Sequence, residues 1–96
     1  MTMRVVNPTT GEVVETFETI DAEELENRIN AAAGAQELWR QRVIGERTEL
    51  LREAAKLLEA GKSGHAVQMA KEMGKPIRDG RAEVEKCAWL CRYYAK

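Results

Sequence analysis

Two thiols are the first candidates for chemistry. Cys87 and Cys91 are the only cysteines, and they stand four residues apart in a segment with helical periodicity. On a helix this spacing places both sulfur atoms on one face, where they could bind a soft metal ion if two more ligands were supplied. Because His65 is the only histidine, we interpret both cysteines as small apolar residues of a helix core. Metal binding and thiol redox chemistry are the alternatives.

The tetrapeptide at residues 60–63, Ala-Gly-Lys-Ser, resembles the end of a phosphate-binding loop. That motif requires a glycine five residues before its Gly-Lys pair and a strand ahead of the loop. Here the required position is Lys56, inside a helical pattern. We therefore interpret Gly61 as the end of one helix and Ser63 as the N-cap of the next.

The remaining polar candidates do not combine into a catalytic group. His65 has no serine or cysteine nucleophile near it in sequence, so we expect a surface or capping role. Glu83 and Glu85 fall on different faces of a helix, which argues against a paired acid and base. Residue types and spacing alone thus predict no catalytic residue in this chain.

Composition narrows the class of protein. The chain has 96 residues, enough for one small domain. Its 15 basic and 16 acidic residues nearly balance, which argues against a nucleic-acid partner. No apolar run reaches the ~20 residues that cross a bilayer, and the N-terminus lacks the apolar region of a secretory signal. Two cysteines do not make a disulfide framework, so we expect a cytoplasmic protein. Because no apolar run is long enough to cross a bilayer, we expect no membrane partner.

The pattern predicts a mainly α protein in which an N-terminal β-hairpin precedes about four helices. Pro8 and Gly11 favour a turn inside the hairpin at 4–17. Asp21 is a good N-cap, with Glu24 placed to complete a capping box. Gly45 is expected in the link before the second helix. The predicted helices are 22–41, 46–60, 63–73 and 77–95.

Apolar residues recur at helical spacing and predict the inner face of each helix. The last helix also carries Trp89, Tyr93 and Tyr94, which is unusual near a terminus and favours docking onto further protein. The predicted inner faces comprise Leu25, Ile29, Ala32, Gln36, Trp39 and Val43; Leu50, Leu51, Ala54, Ala55, Leu57 and Leu58; Ala66, Met69, Ala70 and Met73; and Val84, Cys87, Ala88, Cys91 and Tyr94 or Ala95.

Four segments, in order, resemble the N-terminus of an NAD(P)-dependent aldehyde dehydrogenase, and most of all the succinate-semialdehyde dehydrogenase branch. The resemblance covers residues 4–95. Its segments are NPTTGEVV at 7–14, the pattern Trp39, Glu46-Arg47, Leu50-Leu51 and Ala54-Ala55, EMGKP at 72–76, and AEVEKCAWLCRYYA at 82–95.

The resemblance implies a fragment of an oxidoreductase. Family members are several times longer, and their nucleophilic cysteine, general-base glutamate, oxyanion-hole asparagine and Gly-rich cofactor turn all lie downstream. Cys87 and Cys91 match helix-core positions instead of the nucleophile. The full-length parent would oxidise an aldehyde to a carboxylate with NAD or NADP, whereas this chain alone would bind no cofactor and be inactive.

Four positions match supporting sites of the family. Ala82 and Lys86 match positions that face the substrate tunnel, and a lysine there would suit an acidic aldehyde. Val6, through its backbone carbonyl, and Glu72 match ligands of a monovalent cation whose third ligand lies downstream.

A segment of a larger core should expose an unusually large apolar patch. We therefore expect self-association to a dimer or higher oligomer, unless the remainder of the parent enzyme covers the patch. The helices either keep the family's arrangement or rearrange; the sequence leaves both open. The alternative is a stand-alone helical protein-interaction module without catalysis. A small DNA-binding protein is disfavoured by the charge balance.

Overall fold

The computed structural model describes residues 1–96 and confirms a mainly α fold behind an N-terminal hairpin. Strand β1 precedes strand β2, and four helices follow. The elements are β1 (Thr2–Val6), β2 (Val13–Glu18), α1 (Ala22–Trp39), α2 (Ile44–Ala60), α3 (Lys62–Met73) and α4 (Ile77–Tyr94).

The hairpin is antiparallel and begins two residues earlier than the prediction. Thr2 lies opposite Glu18, and a bulge between Val5 and Val6 shifts the register next to the turn. Gly11 has a φ of 77°, which a residue without a Cβ adopts without strain. Its amide donates to the Asn7 carbonyl at 2.8 Å and closes the turn.

Local signals placed the helix ends correctly at some positions. The Asp21 carboxylate accepts a 2.8 Å hydrogen bond from the Glu24 amide, so the N-cap of α1 is as predicted. The reciprocal half of the capping box is not formed, because the Glu24 side chain instead pairs with Arg28 at 2.8 Å. Gly74, with a φ of 74°, ends α3, and α4 begins directly after Pro76.

Three predicted boundaries are wrong. Helix α1 ends at Trp39, so Val43 lies outside it and precedes α2, whose first turn contains Gly45. Ser63 lies inside α3 and caps nothing, since Gly61 is both the last cap of α2 and the first of α3. One glycine therefore serves both helices, and no separate linker exists between them.

The core is small and centres on α4, which packs against both α2 and α3. Its contact residues are mostly small, so the helices approach closely. The buried residues are Ala55, Ala66, Gly80, Val84, Ala88 and Ala95. Helix α1 packs closely against no other element and buries no residue.

Several predicted core residues are exposed. Cys87 lies on the surface and Cys91 is half-buried, because the contact face of α4 follows Gly80, Val84 and Ala88. Other predicted inner residues that are exposed by about half or more are Leu25, Ile29, Val43, Leu50, Leu57, Met73 and Tyr94.

The molecule is one layer thick. Its extents are 48 × 38 × 14 Å, and its radius of gyration is 17.4 Å, against about 12–13 Å for a globular domain of this length. It exposes 7532 Å², where a folded monomer of this mass exposes about 5,500 Å². Because a stable domain needs two packed layers, this layer has faces left to cover. None of its helices has the length and apolar character needed to span a membrane.

Candidate functional site

Helix α4 holds the first predicted site and is anchored from both sides. At the α3 crossing Gly80 is buried against Ala66, so closely that a Cβ on Gly80 would lie 3.2 Å from the Ala66 Cβ. Val84 and Ala88 continue this contact row one and two turns later. The row fixes the rotation of α4 and determines which side chains its outer face presents.

Ion pairs between helices reinforce that position. Lys62 at the start of α3 pairs with Glu85 at 2.7 Å, and Lys75, in the link between α3 and α4, pairs with Glu83 of α4. Near the other end of α4, Arg92 pairs with Glu59 of α2 at 2.6 Å. Since residues 60–63 join α2 directly to α3 and no strand precedes them, they do not form a phosphate loop.

The end of α4 is also tied to α2 through its backbone. A guanidinium nitrogen of Arg52 donates to the Ala95 carbonyl at 2.7 Å. This satisfies one of the carbonyls that a helix terminus leaves without a partner, and it places a positive charge at the negative end of the helix dipole.

Facing away from the core, α4 presents a lysine and a row of aromatic rings. The Lys86 ammonium lies 4.9 Å from the centre of the Trp89 ring, within the range of a cation–π contact. Trp89 and Tyr93 stack with ring centres 5.7 Å apart, and Tyr94 meets Tyr93 edge-on at 5.1 Å. Ala82 lies exposed one turn before Lys86. The structure thus brings together the two predicted tunnel-facing residues on one exposed face.

This face could receive an anionic, partly apolar ligand. Lys86 has no carboxylate within ion-pair distance, unlike Lys62 of α3 and Arg92 of α4, which pair with glutamates of neighbouring helices. Contact with Trp89 orders its side chain without neutralising its charge. A carboxylate or phosphate would find an unpaired ammonium there, with aromatic surface beside it.

The second predicted site is only partly assembled. The hairpin turn touches the end of α3, where a Cβ on Gly74 would stand 3.0 Å from Pro8 Cγ. Val6 precedes that turn, and Glu72 lies two residues before Gly74. The Glu72 carboxylate is exposed and accepts a hydrogen bond from the Gln68 amide. No group of three or more His, Cys, Asp or Glu side chains is placed so that it could hold a metal ion.

The thiols and the histidine do not form a site. Cys87 and Cys91 differ in exposure and have no third ligand. His65 is exposed and folds back over Gly61, so that its Nε2 lies 3.0 Å from where a Cβ on Gly61 would be. The surface role expected for His65 therefore holds.

Sequence reasoning missed a cluster of three cations at the α2–α4 contact. Arg52, Lys56 and Arg92 line a surface cavity of about 320 Å³. Residues 52 and 56 are one turn apart on a helix, but only the tertiary structure adds Arg92. Each cation is paired with a nearby glutamate, at 3.1, 2.8 and 2.6 Å respectively, so the cluster carries little net charge.

These pairs shift the ionisation of their members. A hydrogen bond from Arg92 lowers the pKa of Glu59, and the same bond raises the pKa of Arg92. The hydrogen bond with Glu53 raises the pKa of Lys56. All three groups are therefore charged at neutral pH, and the cluster is a structural ion-pair network.

Known proteins resemble this chain over its whole length. The model of the aldehyde dehydrogenase family matches residues 1–96. The NAD(P)+ succinate semialdehyde dehydrogenase of Escherichia coli strain K12 is 41% identical over 91 residues, which are 95% of this chain and 20% of that protein. A probable NADP+ succinate-semialdehyde dehydrogenase of Synechocystis is 37% identical over 95 residues, 99% of this chain and 21% of its own length.

Solved structures share the arrangement of the elements. The NADP-dependent glyceraldehyde-3-phosphate dehydrogenase of Bacillus halodurans, complexed with NADP, superposes with a TM-score of 0.94 at 29% identity, over 99% of this chain and 20% of that one. The succinic semialdehyde dehydrogenase of Streptococcus pyogenes in complex with NADP+ gives 0.89 at 30% identity, over 96% and 20%. The four helices therefore keep the arrangement that they have in these structures.

Proposed function

This chain belongs to the aldehyde dehydrogenase family, and we propose that it acts as the N-terminal segment of an enzyme that oxidises a carboxylate-bearing aldehyde of the succinate semialdehyde class with NADP or NAD. The 41% identity with the Escherichia coli succinate semialdehyde dehydrogenase carries the proposal. The chain spans about a fifth of the length of the curated relatives it matches.

In this role the chain supplies structure and substrate selection. Its α4 forms a wall of the substrate entrance, with Ala82 leaving space and Lys86 attracting the substrate carboxylate. The unpaired ammonium above Trp89 supports this assignment, since it adds positive charge where an acidic aldehyde would enter. The ion pairs to α2 and α3 hold the wall in place.

The bond-making chemistry lies outside this chain. Oxidation of an aldehyde requires a nucleophile and a hydride acceptor, which in the proposed enzyme come from the remaining part of the protein and from NAD(P). The nicotinamide cofactor would take up the hydride. This segment would hold α4, and with it Lys86, in position beside the path of the substrate.

A monovalent cation belongs to the same proposal. The Val6 carbonyl and the Glu72 carboxylate would supply two of its oxygen ligands at the junction of hairpin and α3. Oxygen donors fit a hard cation, and the contact of Pro8 with Gly74 supports placing the two segments side by side. Two ligands are too few to hold it, so the chain by itself should show no specific response to K⁺ or Na⁺.

A segment exchange tests the proposed function. Residues 1–96 replace the matching segment of the Escherichia coli enzyme, and succinate semialdehyde oxidation is followed by NADPH or NADH absorbance. We expect the hybrid to be active and the 96-residue chain alone to be inert. The matched control is the hybrid with Ala88→Asp, which puts an unpaired charge into the α2–α3–α4 contact and should abolish activity.

Two outcomes would overturn the proposal. One is turnover of succinate semialdehyde by the 96-residue chain alone. The other is a hybrid that is folded, by circular dichroism and size, but inactive with every carboxylate-bearing aldehyde. The second result would favour the stand-alone interaction module.

A further inference from the structure

Lys86 has an acidic neighbour on its own helix that could neutralise it. Glu83 lies three residues before Lys86 on α4, and side chains three apart on a helix are neighbours on its surface. Glu85 directly precedes Lys86 and therefore lies on a different face. Glu83 is thus the one acidic residue of α4 that is placed to form an ion pair with Lys86.

The same spacing does produce ion pairs elsewhere in this chain, where a glutamate precedes a cation by three residues. These pairs are Glu37–Arg40 at 3.1 Å, Glu49–Arg52 at 3.1 Å and Glu53–Lys56 at 2.8 Å. Glu83 differs from these three glutamates because its carboxylate is bound by a cation from another segment of the chain. The missing pair between Glu83 and Lys86 therefore has a specific cause.

Lys75 is the competing cation. It lies in the link between α3 and α4, where Gly74 ends one helix with a φ of 74° and Pro76 directly precedes the other. These two residues restrict the backbone on both sides of Lys75. The Lys75 side chain is 29% exposed, against 46–68% for the cations of the three pairs above. Because water and salt screen a less exposed pair less, Glu83 stays with Lys75.

With Glu83 engaged, the Lys86 side chain contacts the next turn of the helix instead. Its ammonium lies 4.9 Å from the centre of the Trp89 ring, three residues later. Trp89 is held in turn by its stack with Tyr93. A ring attracts the ammonium but carries no charge that would neutralise it. Lys86 thus has two possible neighbours, and only Glu83 would cancel its charge.

We propose that Lys75 is a positioning residue for Lys86: by holding Glu83, it keeps the Lys86 ammonium unpaired and available to the carboxylate of the substrate. Without Lys75, the Glu83 carboxylate pairs with Lys86 and competes with the substrate for it. The inference deepens the proposed function and rests on it for the identity of the substrate. The exchange of partners by Lys86 is a property of this chain alone.

That exchange is measured in the 96-residue chain by NMR. The ring current of Trp89 should shift the ε-methylene protons of Lys86 upfield. Lys75→Met should reduce this shift by about half, because an exposed ion pair and an exposed cation–π contact are of similar strength. Adding Glu83→Gln should restore the shift. An unchanged shift in Lys75→Met would overturn the inference.

The consequence for substrate selection is measured in the hybrid enzyme. If about half of the Lys86 side chains pair with Glu83, Lys75→Met should raise the KM for succinate semialdehyde about twofold. The KM for butanal should not change, because butanal has no carboxylate. Lys75→Arg keeps a cation beside Glu83 and should behave as the unsubstituted hybrid.

Glu83→Gln separates this role from a structural one. Lys75→Met and Glu83→Gln break the same ion pair, so a role limited to holding α4 in place predicts the same effect for both. The inference predicts an asymmetry, since Glu83→Gln removes the competing carboxylate and should not raise the KM for succinate semialdehyde.

Lys62→Met is the matched control. It breaks another ion pair of α4, and Lys62 is 34% exposed, close to Lys75. The carboxylate that it releases belongs to Glu85, which does not face Lys86. Lys62→Met should therefore leave the ratio of the KM values for succinate semialdehyde and butanal unchanged.

Two results with the hybrid would contradict the inference. One is an equal rise in the KM for succinate semialdehyde with Lys75→Met and Glu83→Gln. The other is a rise for butanal as large as for succinate semialdehyde with Lys75→Met. A folded hybrid that is inactive would instead refute the proposed function, and the NMR shift would still decide whether Lys75 keeps Lys86 unpaired. The two proposals therefore fail separately.

Discussion

Gly80 of α4 lies against Ala66 of α3 with no room for a side chain: a Cβ on Gly80 would stand 3.1 Å from the Ala66 Cα. Both residues are buried. This crossing sets the distance between the two helices and, through it, the rotation of α4. The position of Lys86 and the aromatic row on the outer face follows from that rotation.

Replacing Gly80 with alanine should destabilise the chain by about 1–2 kcal/mol, because the strain of an overpacked crossing exceeds the gain in helix propensity. Urea unfolding measures the change. Gly34→Ala is the matched control, since a Cβ at that helical position meets nothing within 4 Å, and it should stabilise by about 0.5–1 kcal/mol. Equal effects of the two substitutions would contradict the close crossing.

Val84→Ala should cost about 2 kcal/mol, because Val84 is 2% exposed and its methyl groups fill the contact among α2, α3 and α4. The same truncation at Val67, which is 42% exposed on α3, should cost far less. Thermal unfolding of both variants measures the difference. A larger loss at position 67 would place the core elsewhere.

Thiol reactivity should differ between the two cysteines. Cys87 is exposed and Cys91 half-buried, so a maleimide should label Cys87 first under native conditions. Peptide mass spectrometry after a brief reaction identifies the modified residue. Under native conditions, faster labelling of Cys91 than of Cys87, or equal labelling of both, would show that α4 is rotated about its axis relative to the described packing.

The Glu59–Arg92 pair predicts a pH dependence. Because the hydrogen bond from Arg92 holds the pKa of Glu59 below its ordinary value in the folded chain, the contribution of the pair is complete above the unfolded pKa and is lost as the pH falls through the folded pKa. Native stability should thus decline below about pH 4.5 more steeply than in Glu59→Gln. The effect is small, since the pair is exposed. Parallel pH profiles of the two proteins would contradict it.

The proposed role of Lys86 predicts a change in substrate selection within the hybrid enzyme. Lys86→Met should raise the KM for succinate semialdehyde several-fold while leaving the KM for butanal nearly unchanged, because only the first substrate carries a carboxylate. Arg81→Met, also on α4 and exposed, is the control and should change neither. An equal effect on both substrates would assign Lys86 a structural role only.

Local chemistry made part of this fold predictable. Asp21, Gly74 and Pro76 each act through their own backbone neighbourhood, as an N-cap, a left-handed cap and a helix-blocking residue, and the structure places all three as expected. The boundaries at Gly45 and Ser63 were wrong because a glycine is tolerated in a first turn and a serine need not cap. Gly61 caps both α2 and α3, and there the boundary between the helices is set by the two adjoining helices and not by the residue type.

The sequence by itself determined the helices, the hairpin, the charge balance and the family resemblance, because these depend on residue type and short spacing. Only the tertiary structure decided which apolar residues are buried. The C-terminal half of α4 is apolar on most of its circumference, so periodicity could not distinguish Ala88, which is buried, from Cys87, which is exposed. The close crossing at Gly80 selects the face. On α1 the same periodicity produced a stripe with nothing opposite it, because burial requires a second surface that no pattern within one helix can supply.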